Sequence, residues 1–319
     1  MKTPTDRAPP PVAPSPVAPP PFAPPPVASS FRAPARPTVD RARVEALVRE
    51  TLARELGAEK AAAREIESAG ALLLAPDRGV NIGEPYDPRV MPGILAATPA
   101  RVAVGRTGTR YQTNTMLRFR ADHAAAKDAV ISDVDPALLA ELGLFELTSR
   151  APDKAVFLQR PDLGRALSDE ARAELGKRIP RAPTLVVIYG DGLSATALNQ
   201  HLREFHAALM AALADRGIAH APPFFVRRSR VKIMDEIARL CGAQAALFVC
   251  GERPGLGFSD SMSAYYIYQP ATGATDADRE VISNINPRGR APAEAARDAA
   301  GAIERILREK KSGVVLSGA

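Results

Sequence analysis

The sequence predicts an α/β protein: a Rossmann-like domain with a mostly parallel sheet, preceded by a small mainly helical domain and a disordered proline-rich N-terminal arm. Three observations carry this prediction. From Ser168 onward, short apolar runs alternate with helical patterns of ten or more residues, the signature of crossover units. Two of those runs break into Gly-rich turns, GDGLSAT at Gly190 to Thr196 and GERPGLG at Gly251 to Gly257. At the other end, 14 of the 30 prolines fall within the first 40 residues.

Taken in order, residues 1–37 repeat a P-P-x-V/F-A-P pattern, which suits polyproline II and neither a helix nor a central strand. Residues 38–75 open on an amphipathic helix: Val44, Leu47, Val48, Leu52 and Leu56 share one face, and Gly57 closes it. That stripe reads either as a docking peptide or as a helix packed on its own domain. Residues 76–99 read as a polar, proline-bearing linker. Residues 100–165 are expected to form the small helical domain. It begins with a basic loop, GRTGTRY, continues with a helix from Asn114 or Thr115 through Lys127, and adds a shorter helix with Asp135 and Pro136 as cap and first residue.

Residues 166–319 form the α/β domain. Strands are expected at Leu185 to Tyr189, Phe224 to Val226, Ala245 to Cys250 and Tyr265 to Tyr268. Between them lie a long helix carrying Leu198, Leu202, Phe205, Leu209 and Leu213, ended by Gly217, and a shorter one from Val231 to Leu240. Residues 293–310 make the last helix.

Composition excludes several functions. The formal charge is +6 over 319 residues, but residues 1–43 hold six Lys/Arg against two Asp and so carry +4 of it. The remaining body is nearly neutral, has no Trp, and lacks the footprint of a nucleic-acid binder. No run of 18 or more apolar residues could span a membrane, and the N-terminus lacks the apolar stretch of a secretory signal. Cys241 and Cys250 match neither a metal site nor a disulfide framework; they read as small buried residues in a reducing cytoplasm.

In a parallel sheet a ligand lies beyond the carboxyl ends of the strands, where both Gly-rich turns fall. GDGLSAT leads into a helix N-terminus, whose free N–H groups favour an anionic or carbonyl-rich ligand. GERPGLG is neither a dinucleotide fingerprint nor a phosphate loop, although its glycines allow close backbone approach and Glu252 can accept hydrogen bonds. Ser194 lacks the second glycine of a nucleophile elbow and reads as a helix N-cap. His123, His201, His206 and His220 show no metal spacing. The residues thus give a binding site without a catalytic set, and no metal ligands.

Seven blocks in order, from Thr98 to Gly313, resemble the small subunit of ethanolamine ammonia-lyase, an adenosylcobalamin-dependent lyase family. They are TPARVAVGRTGTRYQTNTMLRFRADHAAAKDAV, RPDLGRALSDEAR, DGLSATA, PFFVRRSRVKIMDEI, GERPGLG, TDADREVISNI and EKKSGV. Departures occur: the family often shows Tyr-Gly where this chain has Arg228-Ser229, and a His where it has Asn286. The resemblance implies a complex of six large and six small subunits, with ethanolamine and most catalytic groups in a large-subunit barrel. It implies that this chain's α/β domain faces the cobalamin at the subunit interface, through Val231, Glu252 and Val281. No Asp stands two residues before any histidine, so the D-x-H-x-x-G motif that displaces cobalamin's lower base is missing and the cofactor is expected base-on. The family's N-terminal segment can direct the enzyme into a protein-shelled microcompartment, and residues 40–57 have that form, with the prolines as spacer. Two other classes stay open: a hydrolase using Ser194, and an adaptor or small-molecule-binding protein that takes no cobalamin.

Overall fold

Residues 81–98 and 100–317 are described in the computed structural model. The arm expected over 1–37, the amphipathic helix and helical segment expected within 38–75 and residues 76–80 of the expected linker lie outside them. The rest of that linker is not plain coil. Asp87 accepts a hydrogen bond from the Arg89 N–H and opens a 3-10 turn, Pro88–Val90, which runs into helix α1, Met91–Ala97. Pro92 sits in the first turn of α1, where no intrahelical N–H bond is lost. The basic loop becomes a two-stranded hairpin, β1 (Arg106–Thr107) and β2 (Arg110–Tyr111), followed by α2, Thr113–Ile131. In α3, Pro136–Glu141, Asp135 caps the Ala137 N–H and Pro136 takes the first position, as the sequence predicts.

The centre is a six-stranded sheet of β3 (Phe145–Thr148), β4 (Leu185–Gly190), β5 (Phe224–Arg227), β6 (Ala245–Gly251), β7 (Met262–Tyr268) and β8 (Glu280–Ile285), in the order β3-β5-β4-β6-β7-β8. The first four strands run parallel. β7 and β8 are antiparallel additions, because the β6–β7 connection carries no helix to bring the chain back to the starting edge. β4 and β6 lie in the middle and are buried along their whole length, which is why LVVIYG and AALFVCG read as continuous apolar runs.

Helices cover both faces. On the first face, α6 (Ala195–Asp215) and α8 (Pro292–Glu309) enclose a core with Leu198, Leu202, Phe205, Ile303 and Ile306, joined by Leu138 and Leu139 of α3. On the second, α5 (Asp169–Arg178) and α7 (Ile233–Cys241) cover Val186, Ile188, Phe224 and Phe248. Two short helices, α4 (Lys154–Gln159) and α9 (Val314–Ser317), complete the set.

The segment 100–165, expected as a helical domain of its own, gives β3 to this sheet and α3 to its first core. FELT is short and only one of its residues is buried, so nothing in its pattern marks it as a strand. Pairing with β5, rather than local preference, holds it there.

Candidate functional site

The chain passes from β4 to β5 on one side and then returns to β6 on the other, so the strand order reverses at the β4–β6 pair. A ligand crevice is expected beyond the carboxyl ends of such a pair. Here the two Gly-rich turns pack against each other. The Leu193 N–H donates to the Gly251 carbonyl at 3.0 Å. A Cβ on Gly251 would lie 2.0 Å from the Ser194 carbonyl oxygen, and one on Gly192, whose φ is +56°, 2.3 Å from the Gly251 oxygen. The carbonyl expected at the GDGLSAT turn is therefore the protein's own.

Ser194 is buried and acts as the N-cap of α6, accepting from the Ala197 N–H at 3.2 Å. Its hydroxyl proton is directed to the Ser259 carbonyl at 2.6 Å, which leaves no base to activate it as a nucleophile. Asp191, also buried, ties its turn to the loop after β5 and to the start of α4: it accepts from the Ser229 N–H at 3.0 Å and from Lys154 Nζ at 3.4 Å. Burial raises its carboxyl pKa, against the pull of Lys154 and of backbone donors.

The sequence-predicted contact residues lie further along the sheet. Glu252 follows β6 directly. Its Oε1 accepts from the Ser263 hydroxyl at 2.5 Å and from the Asn284 N–H at 2.8 Å, so the side chain is fixed across β7 and β8. Oε2 has no protein partner among the described residues. Val281 on β8 stands opposite Tyr265 on β7, and paired residues share a face. Tyr265 packs against the second-face core, and so does Val231, in the loop before α7. The structure thus sets Val231, Val281 and the Ser263 anchor of Glu252 on the second face. α7 packs against β6 on that face, but Val281 remains 45% exposed.

The GERPGLG segment is a small hairpin, closed by mutual backbone bonds between Gly255 and Phe258. It holds Leu256 and Phe258 in the open. Arg288 braces it, donating to the Gly257 carbonyl at 3.1 Å, pairing with Asp260 at 2.6 Å and stacking 4.7 Å over the Phe258 ring. Asp260 also faces His201, whose Nε2 lies 3.6 Å away; that contact and Arg288 hold its carboxyl below the usual carboxylate range. His206 Nδ1 meets the buried Tyr189 hydroxyl at 2.8 Å. Both helix histidines therefore serve packing.

Sequence reading missed Ser263, Asn284, Tyr265 and Arg288. Only the β7–β8 register brings the first three to Glu252 and Val281, and no local pattern announces that register. The cysteines agree with their reading: both are buried, and desolvation pushes the Cys241 thiol up to about 11 and that of Cys250 higher still.

A sequence profile described as ethanolamine ammonia-lyase light chain (EutC) matches residues 90–317. The chain belongs to this family. It is 42% identical over 223 residues to the ethanolamine ammonia-lyase small subunit of Clostridium acetobutylicum, covering 70% of this chain and 92% of that one. It is 43% identical over 216 residues to the small subunit of Fusobacterium nucleatum, covering 68% and 73%. The family match begins at residue 90, so the proline-rich arm and residues 40–57 precede it. Val231, Glu252 and Val281 all fall inside it.

Proposed function

We propose that this chain is the small subunit of an adenosylcobalamin-dependent ethanolamine ammonia-lyase and helps to hold base-on cobalamin against the catalytic large subunit. The observation that carries the reading is that Val231, Val281 and the anchor of Glu252 lie on one sheet face, beside a hairpin presenting exposed Leu256 and Phe258.

The residues suit such a ligand. A corrin combines a broad apolar periphery with amide side chains, and this face offers exposed valine beside a carboxylate. Glu252 is positioned through Oε1 and keeps Oε2 to accept from an amide N–H, while Val281 and Val231 give apolar contact. Because Ser263 and Asn284 already order the Glu252 side chain, little rotamer entropy remains to be lost when it accepts a bond. When bound, the cofactor supplies the homolytic chemistry by which ethanolamine becomes acetaldehyde and ammonia. This chain supplies no catalytic group or metal ligand in that account; it orients the cofactor and closes one side of it from water. In keeping with the family, the complex holds six large and six small subunits. It works in the cytoplasm or, through residues 40–57 meeting a protein shell, in a bacterial microcompartment, with no nucleic-acid or membrane partner. Among the described residues no helix is long and apolar enough to cross a membrane.

The test is a cobalamin titration of the reconstituted complex, followed by absorption. Glu252→Ala is expected to weaken binding by roughly 1 to 3 kcal/mol, the worth of one charged hydrogen bond. Glu252→Gln, which keeps an acceptor oxygen, should lose less. An unchanged titration in both variants would overturn the role of Glu252. A complex whose cobalamin spectrum never responds would be an adaptor instead.

A further inference from the structure

Among the described residues, three arginines at the carboxyl end of the sheet have no carboxylate partner. Arg230 follows β5, Arg253 follows β6, and Arg165 ends the 3-10 turn Leu163–Arg165. Among the described residues, no ion pair engages any of the three. The turn that carries Arg165 is packed onto Arg230: the Arg230 N–H donates to the Gly164 carbonyl at 2.7 Å, and a Cβ on Gly164 would meet Arg230 Cγ at 2.8 Å. Arg230 is held flat, its guanidinium 4.3 Å over the Phe157 ring, with Nη2 donating to the Phe157 carbonyl at 3.3 Å. Its Nε is buried and has no hydrogen-bond partner among the described residues. Burial holds the Arg230 guanidinium below the ordinary arginine range, and the charges of Arg253 and Arg165 push the same way, against the pull of Asp191. Asp191 is already committed to Lys154 and to the Ser229 N–H. Glu252 is turned by its Oε1 toward Ser263 and Asn284, and among the described residues it pairs with none of the three arginines.

Like charges carried to one end of the sheet by three separate loops, with no carboxylate paired to them among the described residues, leave a site complementary to an anion. Two of them adjoin the proposed contact residues in sequence, Arg230 beside Val231 and Arg253 beside Glu252. Resting on the reading above, we propose that Arg230, Arg253 and Arg165 form a phosphate-recognition site that takes the phosphodiester of the cofactor's nucleotide loop. Guanidinium groups suit a phosphodiester because they donate in pairs to its two non-bridging oxygens.

The experiment compares two corrinoids on the reconstituted complex by absorption titration: cobalamin, which carries the phosphodiester, and cobinamide, which lacks the nucleotide. Arg230→Gln/Arg253→Gln is expected to weaken cobalamin binding by roughly 10- to 100-fold, the loss of one or two charge-assisted hydrogen bonds. Cobinamide binding should be unchanged, and Arg230→Lys/Arg253→Lys should recover part of the cobalamin affinity. An equal loss for both corrinoids, or a loss for neither, overturns the proposal. Should the wild-type complex bind no corrinoid, the functional reading fails, and calorimetric titration of the full chain with inorganic phosphate decides the anion site on its own. Phosphate binding that disappears in the double variant supports the site; no phosphate binding removes it as well.

Discussion

Gly251 has room for a hydrogen and nothing larger, since a Cβ there would stand 2.0 Å from the Ser194 backbone oxygen. Backbone on both sides prevents relief by a rotamer change. Gly251→Ala is therefore expected to cost about 3 kcal/mol or more, at the upper end of overpacking effects, and to be read as a lowered midpoint in urea unfolding. Gly255→Ala, where nothing lies within 4 Å, is the control and should be near neutral. An equal response from the two would mean that the turns are not packed as described. At this scale the sequence was informative about residue type: Ser194 as N-cap, Asp135 as N-cap and the cysteines as buried thiols all follow from ordinary preferences. It was silent about partners. Glu252 could be read as an acceptor, but that Ser263 and Asn284 would fix it depends on strands up to 32 residues away.

Among elements, the buried ones were legible and the edges were not. β4, β6 and α6 carry long apolar signals because each is buried on a full face or on both. β3 and β8 flank the sheet, and a half-exposed pattern such as that of EVISNI gives periodicity little to work with. The loss mattered for the site, because Val281 acquires neighbours only once β8 is laid against β7. The helix read over residues 40–57 lies outside the described residues, and its choice between docking outward and packing on the body is open to a deletion. Under the microcompartment proposal, removing residues 1–60 leaves complex assembly and acetaldehyde release unchanged but abolishes encapsulation. Loss of assembly would instead place that helix on the body.

Over the whole molecule, a positively charged chain becomes a nearly neutral α/β body preceded by a basic, proline-rich extension, and a family match that begins at residue 90 marks the same division. Among its described residues the body has two Gly-rich turns packed on each other at the switch point, a fixed glutamate, exposed apolar side chains and arginines without an ion pair. These features suit the binding role proposed for the chain. Under the proposed function, this chain completes a site whose chemistry lies in the large subunit. The most direct test is acetaldehyde release from ethanolamine in the presence of adenosylcobalamin, measured for the full chain, for the large subunit and for the two combined. The account predicts turnover from the combination alone. Deamination by this chain without its partner, or full activity of the large subunit without this chain, would contradict it.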